Sequence, residues 1–125
     1  MKKINSHRDL VVWQKSMDLV ENIYKITQLF PREELYGLTS QIRRAAVAIP
    51  TNITEGYQRN YKKEYVQFLY IAKSSASELE TLLNISERLN LNLTPGFTNT
   101  KSLLTEILKM LTALISKLKS SITIP

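Results

Sequence analysis

Residues 33–57 read EELYGLTSQIRRAAVAIPTNITEGY, and this stretch decides the fold. Its apolar side chains recur at intervals of three or four residues, which is the spacing of one face of an α-helix. Proline lacks a backbone donor, but the apolar stripe stays in phase on both sides of Pro50, which predicts one helix with a kink there. Gly56 predicts a left-handed C-cap. The stripe consists of Leu38, Ile42, Ala45, Ile49 and Ile53.

Three further segments show the same amphipathic pattern, so the sequence predicts helices at about residues 9–29, 33–57, 61–89 and 98–122. Short connections make consecutive helices antiparallel neighbours. We therefore expect an all-α protein with one domain, residues 1–125, folded as an antiparallel up-and-down four-helix bundle with a proline-kinked second helix. The predicted buried stripe of the first helix consists of Leu10, Trp13, Met17, Val20, Tyr24 and Thr27.

The fourth segment is more apolar than one helix of a small bundle requires. Its Leu, Ile and Met side chains from Leu103 to Ile122 cover an arc of roughly 160°, whereas a stripe of about 100° is enough. Either the excess forms a second contact surface for self-association, or this helix is covered on both sides within its own core.

Composition and charge narrow the class of protein. There is no Cys, which excludes disulfides and thiolate chemistry and agrees with a cytoplasmic location. The N-terminus leads into no continuous apolar segment, and charges interrupt the most apolar stretch, so we expect neither a secretory signal nor a membrane span. The formal net charge is +6. A basic balance favours a nucleic-acid or other anionic partner, although solubility alone would explain it equally well.

No pattern typical of a catalytic or cofactor site is present. The single histidine, His7, has neither a cysteine nor a Glu-x-x-His partner with which to hold a metal ion. The three glycines are too dispersed to form a phosphate-binding loop, and no nucleophile motif occurs. We therefore expect a protein that is not an enzyme, with no catalytic residues, no cofactor and no metal ion.

Two groups of basic residues are candidates for nucleic-acid binding. Arg43 and Arg44 are consecutive in the second helix, and the turn after it reads YQRNYKKEY at residues 57–65. Cations neutralise phosphates and tyrosine rings stack on bases. Tyrosines at helical spacing also serve as core anchors, and both interpretations of this turn stay open. The candidates in the turn are Tyr57, Arg59, Tyr61, Lys62 and Lys63.

The residue spacing over most of the first three helices resembles a known family. The matching motifs are Leu10-x-x-Trp13-Gln14-Lys15, Phe30-Pro31-x-x-Glu34-x-Tyr36-Gly37-Leu38, Gln41-x-Arg43-Arg44-Ala45-Ala46 and Ile49-Pro50-x-Asn52-Ile53-x-Glu55-Gly56, followed by Arg59. They resemble the 23S rRNA intervening-sequence protein family, whose founding members are encoded within insertions in bacterial large-subunit ribosomal RNA genes. The sequence departs from the family pattern at Ala48 and Thr54, and its fourth helix matches only in pattern.

The resemblance implies a four-helix bundle that assembles as a ring-shaped homopentamer and has no catalytic activity. It also implies similarity to accessory proteins of diversity-generating retroelements, which bind nucleic acid and a reverse transcriptase. The same resemblance implies that Trp13 is a packing anchor and that Arg43, Arg44 and Glu55 make salt bridges between helices or subunits. Alternatively, Arg43 and Arg44 face a nucleic acid. Two hypotheses follow: an oligomer that binds RNA or DNA, and a structural or adaptor oligomer that binds another protein.

Overall fold

The computed structural model describes residues 4–122, and within that range the chain is all-helical, as predicted. Four α-helices follow one another: α1 is Val11–Thr27, α2 is Leu38–Tyr57, α3 is Lys62–Arg88 and α4 is Phe97–Ile122. Short 3-10 turns, His7–Asp9 and Arg32–Glu34, precede α1 and α2. None of the helices in the described range combines the length and the hydropathy that a membrane crossing requires.

The helices form a four-helix bundle in which each helix packs against two others. Within residues 4–122, α1 contacts α2, α2 contacts α3, α3 contacts α4 and α4 contacts α1, whereas the diagonal pairs do not approach. Lys62 at the start of α3 reaches Ser121 at the end of α4, and Lys101 at the start of α4 reaches Glu87 near the end of α3. These contacts require α3 and α4 to be antiparallel, and the short connections between the other consecutive helices agree with the predicted up-and-down arrangement.

The second helix begins later than predicted. Arg32–Glu34 forms a separate 3-10 turn, and α2 starts at Leu38 rather than at residue 33. Gly37 lies between them with φ −115° and ψ −106°, a backbone conformation outside the helical region. The predicted start is therefore wrong because the chain changes direction at Gly37, although the end at Tyr57 is confirmed.

The first helix turns a different face to the core than the one predicted. It begins at Val11, after residues 6–9 have formed a capped 3-10 turn. Met17 and Tyr24, which belong to the predicted stripe, are each 42% exposed. A neighbouring stripe with the same helical spacing takes the core position instead, because α1 is apolar over more than one face. The buried apolar residues of α1 are Val12, Leu19, Ile23 and Ile26.

Helix α2 runs without interruption through Pro50, which is buried. Just beyond it, Thr51 Oγ1 donates to the Val47 carbonyl and Asn52 Nδ2 donates to the Ala48 carbonyl, each at 2.8 Å. The prediction of one continuous helix is confirmed, and the kink at Pro50 stays a prediction.

Gly56 lies in the last turn of α2, and the predicted left-handed cap is wrong. Within the described residues, positive φ values occur at Asn90 and Gly96 and not at Gly56. A Cβ atom at position 56 would lie 2.8 Å from Phe68 Cβ and 2.9 Å from Tyr65 Cδ1, closer than real atoms approach. Glycine therefore allows the end of α2 to pack directly on the first turns of α3, which fixes the position of the turn between them.

The broad apolar arc of α4 is accommodated largely within the single chain. The centre of the arc is buried, and its flanks are half-buried against the core. Within residues 4–122, the exposed large apolar side chains all lie outside α4, for example Met17 on α1, Val47 on α2 and Ile71 on α3. This favours the alternative that α4 is covered within its own core. The buried members of the arc are Leu104, Ile107, Leu111 and Ile115.

Candidate nucleic-acid interface

Basic and aromatic side chains from the α2–α3 turn, α3 and α4 lie together at one end of the bundle. Residues 58–61 join α2 to α3 there, and α4 ends beside them. Lys62 Nζ donates to Ser121 Oγ at 3.1 Å, and Lys119 Nζ donates to the Tyr70 hydroxyl at 3.1 Å. We refer to this surface as the basic end. It consists of Arg59, Tyr61, Lys62, Lys63, Lys117 and Lys119.

Arg59 is held in place at the basic end by two neighbours. Its Nη2 lies 3.4 Å from Oε2 of Glu55, one helical turn earlier, and its guanidinium carbon lies 4.6 Å from the centre of the Phe68 ring. Both members of the ion pair are more than two-fifths exposed, so solvent screens it and its contribution to stability is small. The contacts orient the guanidinium while leaving it accessible to an anion.

The three tyrosines of the turn have different environments. Tyr61 is 69% exposed and immediately precedes α3. Tyr57 is half-buried, and its ring meets that of Tyr65 edge-on at 5.9 Å. Burial, with a smaller effect from Tyr57, raises the pKa of Tyr65 to about 12. Tyr65 therefore acts as a core anchor, whereas Tyr61 presents a ring on which a base could stack.

Lys117 and Lys119 are missing from the candidates that the sequence suggested. Both are exposed near the end of α4, and Lys119 Nζ lies 5.6 Å from the centre of the Tyr70 ring. Two signals were available in the sequence: residues 98–125 hold four lysines and one acidic residue, and an up-and-down bundle returns the end of the fourth helix to the start of the third. Combining them would have placed both lysines at the same end of the bundle as Lys62.

Arg43 and Arg44 do not belong to the basic end. They lie near the start of α2, 15 residues before Arg59, which corresponds to about 22 Å at 1.5 Å per residue. Arg43 is half-buried, with its Nε donating to Thr27 Oγ1 at 2.9 Å and its guanidinium carbon 4.5 Å from the centre of the Tyr24 ring. Arg44 is exposed. The two predicted basic groups are therefore separate surfaces.

Trp13 and Pro50 lie on a third surface, an apolar groove between α1 and α2. The groove has a volume of about 320 Å³, and its walls include Trp13, Met17 and Val47. Trp13 is half-buried, and the His7 ring meets it edge-on at 5.1 Å. We define the α1–α2 surface by its apolar members, which are Trp13, Met17, Val20, Val47 and Pro50.

No metal site is formed by the described part of the chain, since residues 4–122 contain no group of three or more His, Asp or Glu side chains that could hold an ion.

The fold and the candidate site together define a class of protein: a four-helix bundle with a cluster of cations at one end.

The model of the 23S rRNA-intervening sequence protein family matches residues 8–113, and the chain belongs to this family. The chain is also similar to a solved protein of unknown function from the S23 ribosomal protein family of Bacteroides thetaiotaomicron, with 26% identity and a TM-score of 0.77. That similarity covers 85% of this chain and 96% of the other. None of the curated proteins matches the chain significantly. The family resemblance of the sequence motifs is therefore confirmed.

Proposed function

We propose that the protein is a non-enzymatic, basic helical-bundle protein that binds RNA or DNA through the basic end. The observation that carries this proposal is the convergence of five cations from two chain segments, residues 59–63 and 117–119, on one end of the bundle. Glu55 and Glu64 are the carboxylates on the adjoining helical turns. The surplus of positive charge attracts a phosphate backbone without any need for base recognition.

The aromatic side chains support single-stranded nucleic acid as the preferred partner. Exposed Tyr61 lies beside Lys62 and Lys63, and Tyr70 lies beside Lys119. Proteins that bind single strands combine a cationic track with rings on which successive bases stack. In this arrangement the lysines supply affinity and the tyrosines favour unpaired bases over a duplex.

Salt dependence tests the basic end directly. Arg59→Gln, Lys62→Gln and Lys63→Gln in one variant should weaken binding of a labelled single-stranded RNA and reduce the slope of log affinity against log salt by about 2, about 0.7 for each lost phosphate contact. Fluorescence anisotropy across a range of salt concentrations measures both quantities. Glutamine keeps a polar side chain while removing the charge, and at Arg59 it also removes the guanidinium contact with Phe68.

The control has the same change in net charge at other positions. Lys25→Gln, Arg88→Gln and Lys109→Gln remove three exposed cations far from the turn at residues 58–61. This variant should retain most of the slope. An equal loss of slope in both variants would contradict a localised interface, because net charge alone would then explain the binding.

We further propose that the chain associates with itself through the α1–α2 surface, as the ring-shaped homopentamer that its family resemblance implies. Met17 and Val47 are 42% and 41% exposed, and with Trp13 they border an apolar groove. Contiguous exposed apolar side chains are typical of interaction sites. The same surface would serve the alternative function, an adaptor that binds another protein.

Light scattering after size-exclusion chromatography separates these cases. The unmodified chain, 14.4 kDa per copy, should elute with about five times that mass, and Met17→Lys with Val47→Lys should lower the mass. Gln67→Lys with Ser77→Lys, on exposed positions of α3, should not. A monomeric unmodified chain would contradict self-association and favour the adaptor.

A further inference from the structure

An open cavity lies at the start of α2, beyond Val47 and away from the basic end. It has a volume of about 470 Å³, which is within the range of sites for small organic ligands. Two arginines and no carboxylate occur among the described residues that line it. The lining groups used below are Tyr24, Tyr36, Thr39, Ser40, Arg43 and Arg44.

The two arginines differ in how they are held. Arg43 is fixed by its Nε contact with Thr27 and by the Tyr24 ring, so its position is set before any ligand binds. Arg44 is exposed and forms no ion pair or side-chain hydrogen bond within residues 4–122. Helical side chains incline toward the N-terminus, which directs Arg43 and Arg44 over Thr39 and Ser40, one turn earlier. All four residues line the cavity.

Thr39, in the first turn of α2, has an unsatisfied polar group next to the cavity. Its side chain is only 2% exposed, and its Oγ1 has no hydrogen-bond partner among the described residues. A buried hydroxyl without a partner is costly and uncommon in folded proteins. Gly37, which precedes α2, also supplies no side-chain cap for the first turn. The Oγ1 atom itself is inaccessible to solvent, so the start of α2 offers a ligand the positive end of a helix dipole rather than this hydroxyl.

Tyr36 adds a flat apolar platform at the edge of this cationic cavity. Its side chain is 94% exposed, which is unusual for a large aromatic residue in a bundle with a well-formed core. Tyr36 lines the same cavity as Arg44, so one ligand could contact both residues. Unpaired bases commonly stack on such rings while arginine holds the phosphate.

We propose that this cavity binds a single nucleotide unit of a nucleic acid, with the phosphate against Arg43 and Arg44 and the base against Tyr36. The proposal rests on the function proposed above, since it names a part of the nucleic acid and its place on the protein. The cavity then supplies a contact that depends on an unpaired base, about 22 Å along α2 from Arg59.

Titration of the full chain with adenosine 5′-monophosphate, followed by amide NMR shifts, tests the proposal. The amides of Thr39 and Ser40 should shift and saturate, and adenosine 5′-monophosphate should bind at least about tenfold more tightly than inorganic phosphate, because stacking on tyrosine adds affinity. Tyr36→Ala should remove this advantage without affecting phosphate binding. Arg44→Gln should weaken both ligands, and both substitutions are at exposed positions that the fold tolerates.

The control is Arg59→Gln at the basic end, which should leave the binding of adenosine 5′-monophosphate unchanged. Shifts centred on residues 57–63, or equal affinities for the nucleotide and phosphate in the Tyr36→Ala variant and the unmodified chain alike, would overturn the proposal. If RNA binds through the basic end but the nucleotide does not bind in the cavity, this inference is wrong and the proposed function still stands. If RNA does not bind at all, the proposed function fails whatever the nucleotide does.

Discussion

Tyr65 lies half-buried at the start of α3, between the core and the basic end. Its ring contacts Tyr57 edge-on, and burial is the main reason why its pKa rises from 10.0 to about 12. A raised pKa in the folded state means that the folded chain holds the hydroxyl proton over a pH range in which the unfolded chain loses it. The stability of the folded chain therefore depends on the protonation of the Tyr65 hydroxyl at alkaline pH.

Stability should therefore decrease as pH rises from about 10 to 12, because in that window the folded state binds more protons at Tyr65 than the unfolded state does. Below pH 10 the contribution is fully present. Tyr65→Phe should make the urea-unfolding free energy less dependent on pH in this window. Tyr36→Phe is the matched control, since Tyr36 is 94% exposed, and an equal effect of both substitutions would contradict the assignment to Tyr65.

At the scale of single helices, the close approach of α2 and α3 depends on the absence of a side chain at position 56. Alanine there gains helix propensity worth about 1 kcal/mol but places its Cβ against Phe68 and Tyr65. Overpacking of this kind typically costs about 1–3 kcal/mol. The second effect is the larger one because Phe68 Cβ and the Tyr65 carbonyl oxygen, 2.8 and 3.1 Å away, are fixed by the backbone of α3 and move little.

Gly56→Ala should accordingly lower the free energy of unfolding by up to about 2 kcal/mol, measured by urea denaturation. Ser74→Ala, at an exposed position of α3, gains propensity without a clash and should raise stability slightly. A higher unfolding midpoint for Gly56→Ala than for the unmodified chain would show that the helices are not in close contact there.

The four helices and most of their ends were predictable because their apolar spacing is regular and their connections are short. The face that α1 turns inward was not, since Leu19 and Ile23 compete with Met17 and Tyr24 for the core position, and only packing against α2 and α4 decides between them. Gly56 was misjudged for a related reason: sequence context cannot distinguish a glycine at a helix end from one at a close helix contact.

The candidate site was predictable only in part. Residues 57–63 and the pairing of Glu55 with Arg59, one helical turn apart, are visible in the sequence. The contribution of Lys117 and Lys119 depends on the relative rotation of α3 and α4, and the cavity at Tyr36 depends on the turn at Gly37 that ends the 3-10 segment. Both features arise from contacts between elements, so local spacing does not predict them.

At the scale of the whole molecule, the positive charge is unevenly distributed, and this carries the functional proposal. Residues 1–63 hold a surplus of +5 and residues 98–125 a surplus of +3, while residues 64–97 hold −2. The up-and-down topology brings the cations of residues 59–63 next to the end of α4, and together they form the basic end. In a five-membered ring the same surface would be repeated five times, which would multiply its attraction for a phosphate backbone.

The most direct measurement is the affinity of the unmodified full chain for single-stranded RNA as a function of salt concentration. Five phosphate contacts at the basic end predict a linear decrease of log affinity with log salt, with a slope of about −3.5 for a single strand. Duplex DNA should bind more weakly than the single strand at equal salt. Absence of binding at low ionic strength, or an affinity that salt does not change, would contradict the account.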